Sequence, residues 1–80
     1  MYVVRCCDGS LYTGITTDVD RRVYEHNYTQ RAARYTRARR PVKLMYSTDF
    51  PDRSSASKAE VKFKRLSRQE KEAAIDCEAT

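Results

Sequence analysis

The stretch Tyr2-Val3-Val4-Arg5-Cys6-Cys7-Asp8-Gly9-Ser10-Leu11-Tyr12-Thr13-Gly14 does most to limit what this chain can fold into. Two runs rich in Val, Tyr, Leu and Thr flank Asp-Gly, a pattern that predicts a β-hairpin. The turn length decides which side chains share a face. A two-residue loop, Asp8-Gly9, pairs Arg5 with Tyr12 and sends Tyr2 and Tyr12 to opposite faces, because side chains alternate along a strand. A three-residue loop, Cys7-Asp8-Gly9 with Gly9 left-handed, pairs Val4 with Tyr12. Tyr2 and Tyr12 are then diagonal neighbours, roughly 7–8 Å apart. Taken alone, both are ordinary strand aromatics. If they work together, the loop is the longer one.

Beyond the hairpin, Thr17 is the expected N-cap of a helix near 18–28, with Asp18 and Asp20 suiting its first turn. Val19, Val23 and either His26 or Asn27 mark its inward stripe, and Arg22 and His26 lie four apart on one face. A short helix over Arg31 to Ala38 carries Tyr35, and Pro41 opens a strand over Val42–Ser47. In that strand Val42, Leu44 and Tyr46 alternate with Lys43, Met45 and Ser47, a half-buried pattern. Asp49-Phe50-Pro51-Asp52 is a turn, and Ser54 or Ser55 caps a helix to about Leu66. Ala56, Ala59, Phe63 and Leu66 form its buried stripe, while Glu60 and Lys64 make a favourable pair four apart. Ser67-Arg68-Gln69-Glu70 reads as a capping box for a last helix to about Ile75. The order β-β-α-(α)-β-α-α implies an α+β domain over 1–76, with a frayed tail at 77–80. Its sheet is small, three-stranded and antiparallel, built from the N-terminal hairpin and a third strand and flanked by helices. Strand 1, apolar on both faces, is the expected centre.

Charge narrows the function. The net charge is +5, and no acid falls between Glu25 and Asp49. That interval holds Arg31, Arg34, Arg37, Arg39, Arg40 and Lys43, the footprint of a polyanion binder. Cys6, Cys7 and Cys77 have no C-x-x-C spacing, so reduced thiols are expected, at least one of them in the core. No apolar run approaches a membrane span, and no leader-like segment stands at the start. The expectation is a soluble cytoplasmic protein with no membrane association.

These residues together match a known pattern. The chain resembles the GIY-YIG nuclease superfamily, and within it the small single-domain proteins related to the nuclease subunit of structure-specific endonucleases. The first motif falls on Met1-Tyr2 and the second on Tyr12-Thr13-Gly14. Leu11 to Asp18, with Arg21, Arg22 and His26-Asn27, is similar to the superfamily signature. Tyr35-Thr36-Arg37, Arg39-Arg40-Pro41-Val42-Lys43-Leu44 and Lys64-Arg65-Leu66-Ser67 resemble the small-protein subgroup. The chain departs from the pattern at the first motif, which lacks its glycine, and at Asp18, where the family often has Asn.

The resemblance implies a site made of Tyr2, Tyr12, Arg22, His26 and Glu60, with Glu60 as the Mg²⁺ (or Mn²⁺) ligand. Gly14 would permit close packing or substrate approach beside Tyr12. Arg31, Arg34, Arg37, Arg39, Arg40, Lys43 and Lys64 would hold nucleic acid, DNA before RNA. One carboxylate carrying Mg²⁺ fits that ion's habits, and Arg22 can fork onto a phosphate. Either tyrosine could serve as base if its phenolate is stabilised. The function implied is a metal-dependent DNA endonuclease that reads structure rather than sequence, of the repair type. Two alternatives are a nucleic-acid-binding module with negligible turnover and an interaction subunit that takes its specificity from a protein partner.

Overall fold

A computed structural model describes the backbone of residues 1–79 and the side chains of residues 1–75. The elements are β1 (Tyr2–Arg5), β2 (Leu11–Gly14), α1 (Val19–Tyr28), α2 (Arg34–Arg37), β3 (Lys43–Ser47), α3 (Arg53–Lys64) and α4 (Arg68–Ala79). The tail expected at 77–80, and Cys77 with it, lies outside the described side chains.

The hairpin takes the three-residue loop. The Cys6 N–H donates to the Ser10 carbonyl at 2.8 Å, and the Gly9 N–H donates to the Cys6 carbonyl at 2.9 Å. Gly9 sits at φ +86°, a left-handed conformation that glycine adopts without steric cost. The Asp8 carboxylate accepts from the Ser10 N–H at 3.0 Å and braces the turn. Val4 therefore pairs with Tyr12 and Tyr2 with Gly14, which puts the two tyrosines on one face.

The sheet is antiparallel in the order β2-β1-β3, with β1 central as its two-sided apolar sequence requires. Val3 faces one layer, packed with Met1, Phe63 and Ile75 under α3 and α4. Tyr2, Val4 and Cys6 face the other, packed with Val42, Leu44, Val19 and Val23 under α1. Cys6 is the expected core thiol, and Cys7 is exposed.

Strand β3 breaks its expected alternation. Val3 pairs with Tyr46 but Val4 pairs with Leu44, which leaves Met45 as an extra residue in a bulge. An inserted residue reverses the parity of everything beyond it. Val42 and Leu44 stay on the α1 side, whereas Tyr46 crosses with Met45 to the α3/α4 side.

The helix starts also differ from expectation at two points. Asp18, not Thr17, caps α1 by accepting from the Arg21 N–H at 3.1 Å. Asp52, not Ser54 or Ser55, caps α3 by accepting from the Ser55 N–H at 2.7 Å. A carboxylate satisfies the free N–H and also favours the positive helix end, so it wins over a neighbouring hydroxyl. The capping box of α4 forms as expected: the Ser67 N–H donates to Glu70 Oε1 at 3.0 Å, and the Glu70 N–H donates to Ser67 Oγ at 3.2 Å. Helix α4 runs past Ile75 to Ala79, because no Gly or Pro in 76–79 stops it. Helix α2 is shorter than the expected 31–38. Thr29 accepts from the Arg31 N–H at 3.1 Å and turns the chain there, so helical hydrogen bonding starts only after Ala33.

Candidate active site

Tyr2 and Gly14 face each other at the seam between β1 and β2. The Tyr2 ring lies across Gly14 so closely that a Cβ there would meet Tyr2 Oη at 2.6 Å and Cζ at 2.8 Å. The close packing that Gly14 permits is thus realised by Tyr2, not Tyr12. This placement aims the Tyr2 hydroxyl at α1, where Tyr2 Oη lies 2.7 Å from His26 Nε2. On its far side, His26 Nδ1 lies 2.7 Å from Thr36 Oγ1. Thr36 spends its one hydroxyl hydrogen on the Ala33 carbonyl at 3.0 Å.

The hydrogens of this chain follow from counting. Thr36 already donates, so it can only accept from His26, and Nδ1 carries the proton. Nε2 is then a lone pair that accepts from the Tyr2 O–H. Tyr2, His26 and Thr36 are all fully enclosed, at 1 %, 0 % and 0 % exposure, so neither partner finds water as a substitute. Burial pushes the Tyr2 hydroxyl up to about 12, with Arg22 acting in the opposite direction. Burial, aided by the charge of Arg22, pushes His26 down to about 4. Both shifts match a protonated phenol donating to a neutral imidazole.

Tyr12 packs its ring against His26 at 5.5 Å in an edge-on contact. Its other neighbour is Tyr35, stacked at 6.0 Å. The Arg39 guanidinium covers the far face of Tyr35 at 3.9 Å and pairs with Asp8 at 3.1 Å. The turn of the hairpin thereby braces α2 through Arg39 and Tyr35. Arg22 approaches Tyr2 from α1 and acts on its hydroxyl. Its guanidinium is held by Glu25 at 3.2 Å and by the Arg31 carbonyl at 2.8 Å. Glu60 comes from the opposite layer, on α3, and its negative charge is felt at Tyr2. Its carboxylate is 22 % exposed and meets Lys64 at 3.7 Å.

Tyrosines from the sheet and an arginine and a histidine from α1 meet at the β1–β2 seam, and the charge of a glutamate on α3 reaches Tyr2 from the opposite layer. A family model described as the GIY-YIG catalytic domain matches residues 1–73. The chain belongs to the GIY-YIG family. Among its relatives, the UPF0213 protein of Desulfotalea psychrophila is 57 % identical over 67 residues, which are 84 % of this chain and 61 % of that one. A UPF0213 protein of Streptococcus agalactiae is 56 % identical over 71 residues, covering 89 % of this chain and 80 % of its own. The solution NMR structure of a UPF0213 protein from Bacillus halodurans matches with a TM-score of 0.61 at 43 % identity, over 95 % of this chain and 80 % of that one.

GIY-YIG domains are typical of nucleases, bind nucleic acid and generally use divalent metals. The donor set here suits a metal of the Mg²⁺ kind. Among the described residues no three His, Cys, Asp or Glu side chains cluster as an all-protein cage. A single, half-enclosed carboxylate, Glu60, is what Mg²⁺ takes when water and substrate phosphate supply its other ligands. Among the described residues, no helix is long and apolar enough to cross a membrane.

The basic run of this GIY-YIG domain is largely engaged with the protein itself. Arg40 donates to the His26 carbonyl at 2.6 Å and also to the Thr29 carbonyl, which ties down the end of α1. Arg37 donates to the Gln30 carbonyl at 2.9 Å, and Arg31 lies 4.0 Å from Glu25. Arg39 is committed to Tyr35 and Asp8, and Lys64 to Glu60. The side chains of Arg34 and Lys43 have no hydrogen-bond or ion-pair partner among the described residues. Sequence reasoning missed two members of the site, Glu25 and Thr36. Thr36 acts through a contact between α1 and α2 that leaves no periodic signal, whereas Glu25 lies three residues after Arg22 on α1, a spacing that could have found it. Thr36 did stand inside Tyr35-Thr36-Arg37, one of the subgroup segments, but nothing in that segment points to a histidine ten residues away.

Proposed function

We propose that this chain is a divalent-metal-dependent endonuclease that hydrolyses phosphodiester bonds in DNA and selects structure rather than sequence. The observation that carries the reading is the meeting of Tyr2, Tyr12, Arg22 and His26 at the β1–β2 seam, within electrostatic reach of Glu60. Glu60 would hold Mg²⁺ or Mn²⁺, which, when bound, neutralises phosphate charge and acidifies water. Arg22 presents a guanidinium to phosphate oxygens, where it favours the extra charge of the transition state. Glu25 and the Arg31 carbonyl fix its orientation. Tyr2 is occupied as a donor to His26, so Tyr12 is the tyrosine left to accept a proton from the attacking water. A phenol normally ionises near ~10, so this role needs positive charge beside Tyr12 in the complex. Among the described residues no element is set apart to read base edges, which favours recognition by structure.

A nucleic-acid-binding module with negligible turnover is the second reading. It is favoured by the internal neutralisation of both charged site residues, Arg22 by Glu25 and Glu60 by Lys64. Labelled single strand, duplex, flap, four-way junction and single-stranded RNA, each with Mg²⁺, Mn²⁺ or chelator, separate the two. Metal-dependent cutting that Glu60→Ala abolishes while binding persists supports the enzyme. Salt-dependent binding by wild type without cutting of any substrate overturns it.

A further inference from the structure

Most of the positive charge in the arginine run, Arg34 and Lys43 excepted, is engaged with the protein itself. Arg31, Arg37, Arg39 and Arg40 spend their guanidinium groups on Glu25, Asp8 and backbone carbonyls. Helix α3 and the turn after it carry the contrasting set. Residues 53–68 hold Arg53, Lys58, Lys62, Lys64, Arg65 and Arg68 against one acid, Glu60. The side chains of Lys58, Lys62 and Arg65 are exposed and, among the described residues, have neither a hydrogen-bond nor an ion-pair partner.

Their spacing is helical. Lys58, Lys62 and Arg65 are four and three residues apart, so they form one ridge about 10 Å long at 1.5 Å per residue. The ridge flanks the stripe of Ala59 and Phe63, which pack on the core. Lys58, Lys62 and Arg65 themselves line a groove of about 590 Å³, together with the apolar Val61 and Leu66. Val61 is 47 % exposed. The one acid on the groove, Glu70, already accepts from the Ser67 N–H in the capping box. Lys64 stands between this ridge and Glu60, so cations continue from the edge of the site around the helix.

We propose that the outer face of α3, through Lys58, Lys62 and Arg65, is the principal grip on the phosphate backbone of a nucleic acid whose strand enters the Glu60 site. This rests on the nuclease reading above and moves the main binding surface away from residues 31–43. Unpaired cations release counterions when they meet phosphates, whereas arginines already bound to carboxylates and carbonyls must first give those contacts up. Val61 and Leu66 supply apolar contact for the sugars between successive phosphates.

Fluorescence anisotropy of a labelled duplex over a salt series, in chelator so that nothing is cut, tests this. Three proteins are compared: wild type, Lys58→Gln/Lys62→Gln/Arg65→Gln, and Arg31→Gln/Arg34→Gln/Arg37→Gln. Each phosphate contact contributes ~0.9 to the slope of log K against log salt. The α3 variant should lose ~2.7 of that slope and the other variant less than ~1. A wild-type slope in the α3 variant, with the larger loss in the other, overturns this inference and leaves the nuclease reading standing. Failure of wild type to bind any nucleic acid overturns both. Equal capture of a poly-glutamate chain, lost in the α3 variant, assigns the groove to an acidic protein surface and overturns the inference as well.

Discussion

Replacing Thr36 by Val removes one oxygen from an enclosed site and changes little else in shape. The hydroxyl is the acceptor for His26 Nδ1–H and the donor to the Ala33 carbonyl. With both His26 and Thr36 at 0 % exposure, water cannot take its place. A buried donor left without a partner costs ~1–3 kcal/mol. The imidazole has one escape. It can move its proton to Nε2 and donate to Tyr2 Oη, which satisfies the ring but makes Tyr2 an acceptor. A phenol that accepts from a neutral imidazole is easier to ionise, so the Tyr2 hydroxyl should fall from its position near 12. Thr36→Val should therefore lose ~1–3 kcal/mol in urea unfolding, or ~4–24 °C in melting temperature for a domain of this size. His26 is the chain's one histidine, so a single set of imidazole ¹⁵N signals reports its tautomer. The wild type should show the proton on Nδ1, the Val variant a shift toward Nε2, and Thr36→Ser a return to the first pattern. A Val variant with unchanged stability and the proton still on Nδ1 would refute the proton count on which the assignment of Tyr2 rests.

Gly14→Ala should cost ~2–4 kcal/mol, since its Cβ would fall 2.6 Å from Tyr2 Oη and force the ring off His26. A melt within ~3 °C of wild type would show that Tyr2 has room to move. Stability should also fall with acid. The unfolded imidazole gains its proton as pH drops through about 6.5, the folded one only near 4, so the unfolded state holds more protons between those values. The stability His26 supplies is complete above that window and lost across it, on the order of 3 kcal/mol in all. Urea unfolding from pH 7 to 4 measures it, and a slope that survives in His26→Phe would assign the effect to the carboxylates instead.

The hairpin is legible in the sequence, but Asp-Gly suits either loop length. The register follows only once Tyr2 and Tyr12 are required to share a face, as Val4 opposite Tyr12 makes them do. The capping box at Ser67 and Glu70 was readable because both partners lie within one turn. The caps at Asp18 and Asp52 are harder to place from sequence, because each carboxylate competes with hydroxyls one to three residues away. The Met45 bulge was invisible, because alternation is a property of one strand and a bulge is a property of two. The basic run illustrates the widest gap. Charge can be counted from sequence, but whether an arginine is free depends on which carbonyls the fold brings to it, as Arg40 and Arg39 demonstrate.

The assembly of the site from both layers has a consequence for how the protein comes to exist. Tyr2, Tyr12 and Arg22 leave the ribosome early, but Glu60 follows some forty residues later. Phe63 and Ile75, which close the core over Val3, come later still. On the nuclease reading, an unfinished chain carries tyrosines and an arginine with no carboxylate to work beside. Cutting would then be withheld until Glu60 and the residues that close the core have been made, and a product cut short before Glu60 would be harmless to the nucleic acid around it.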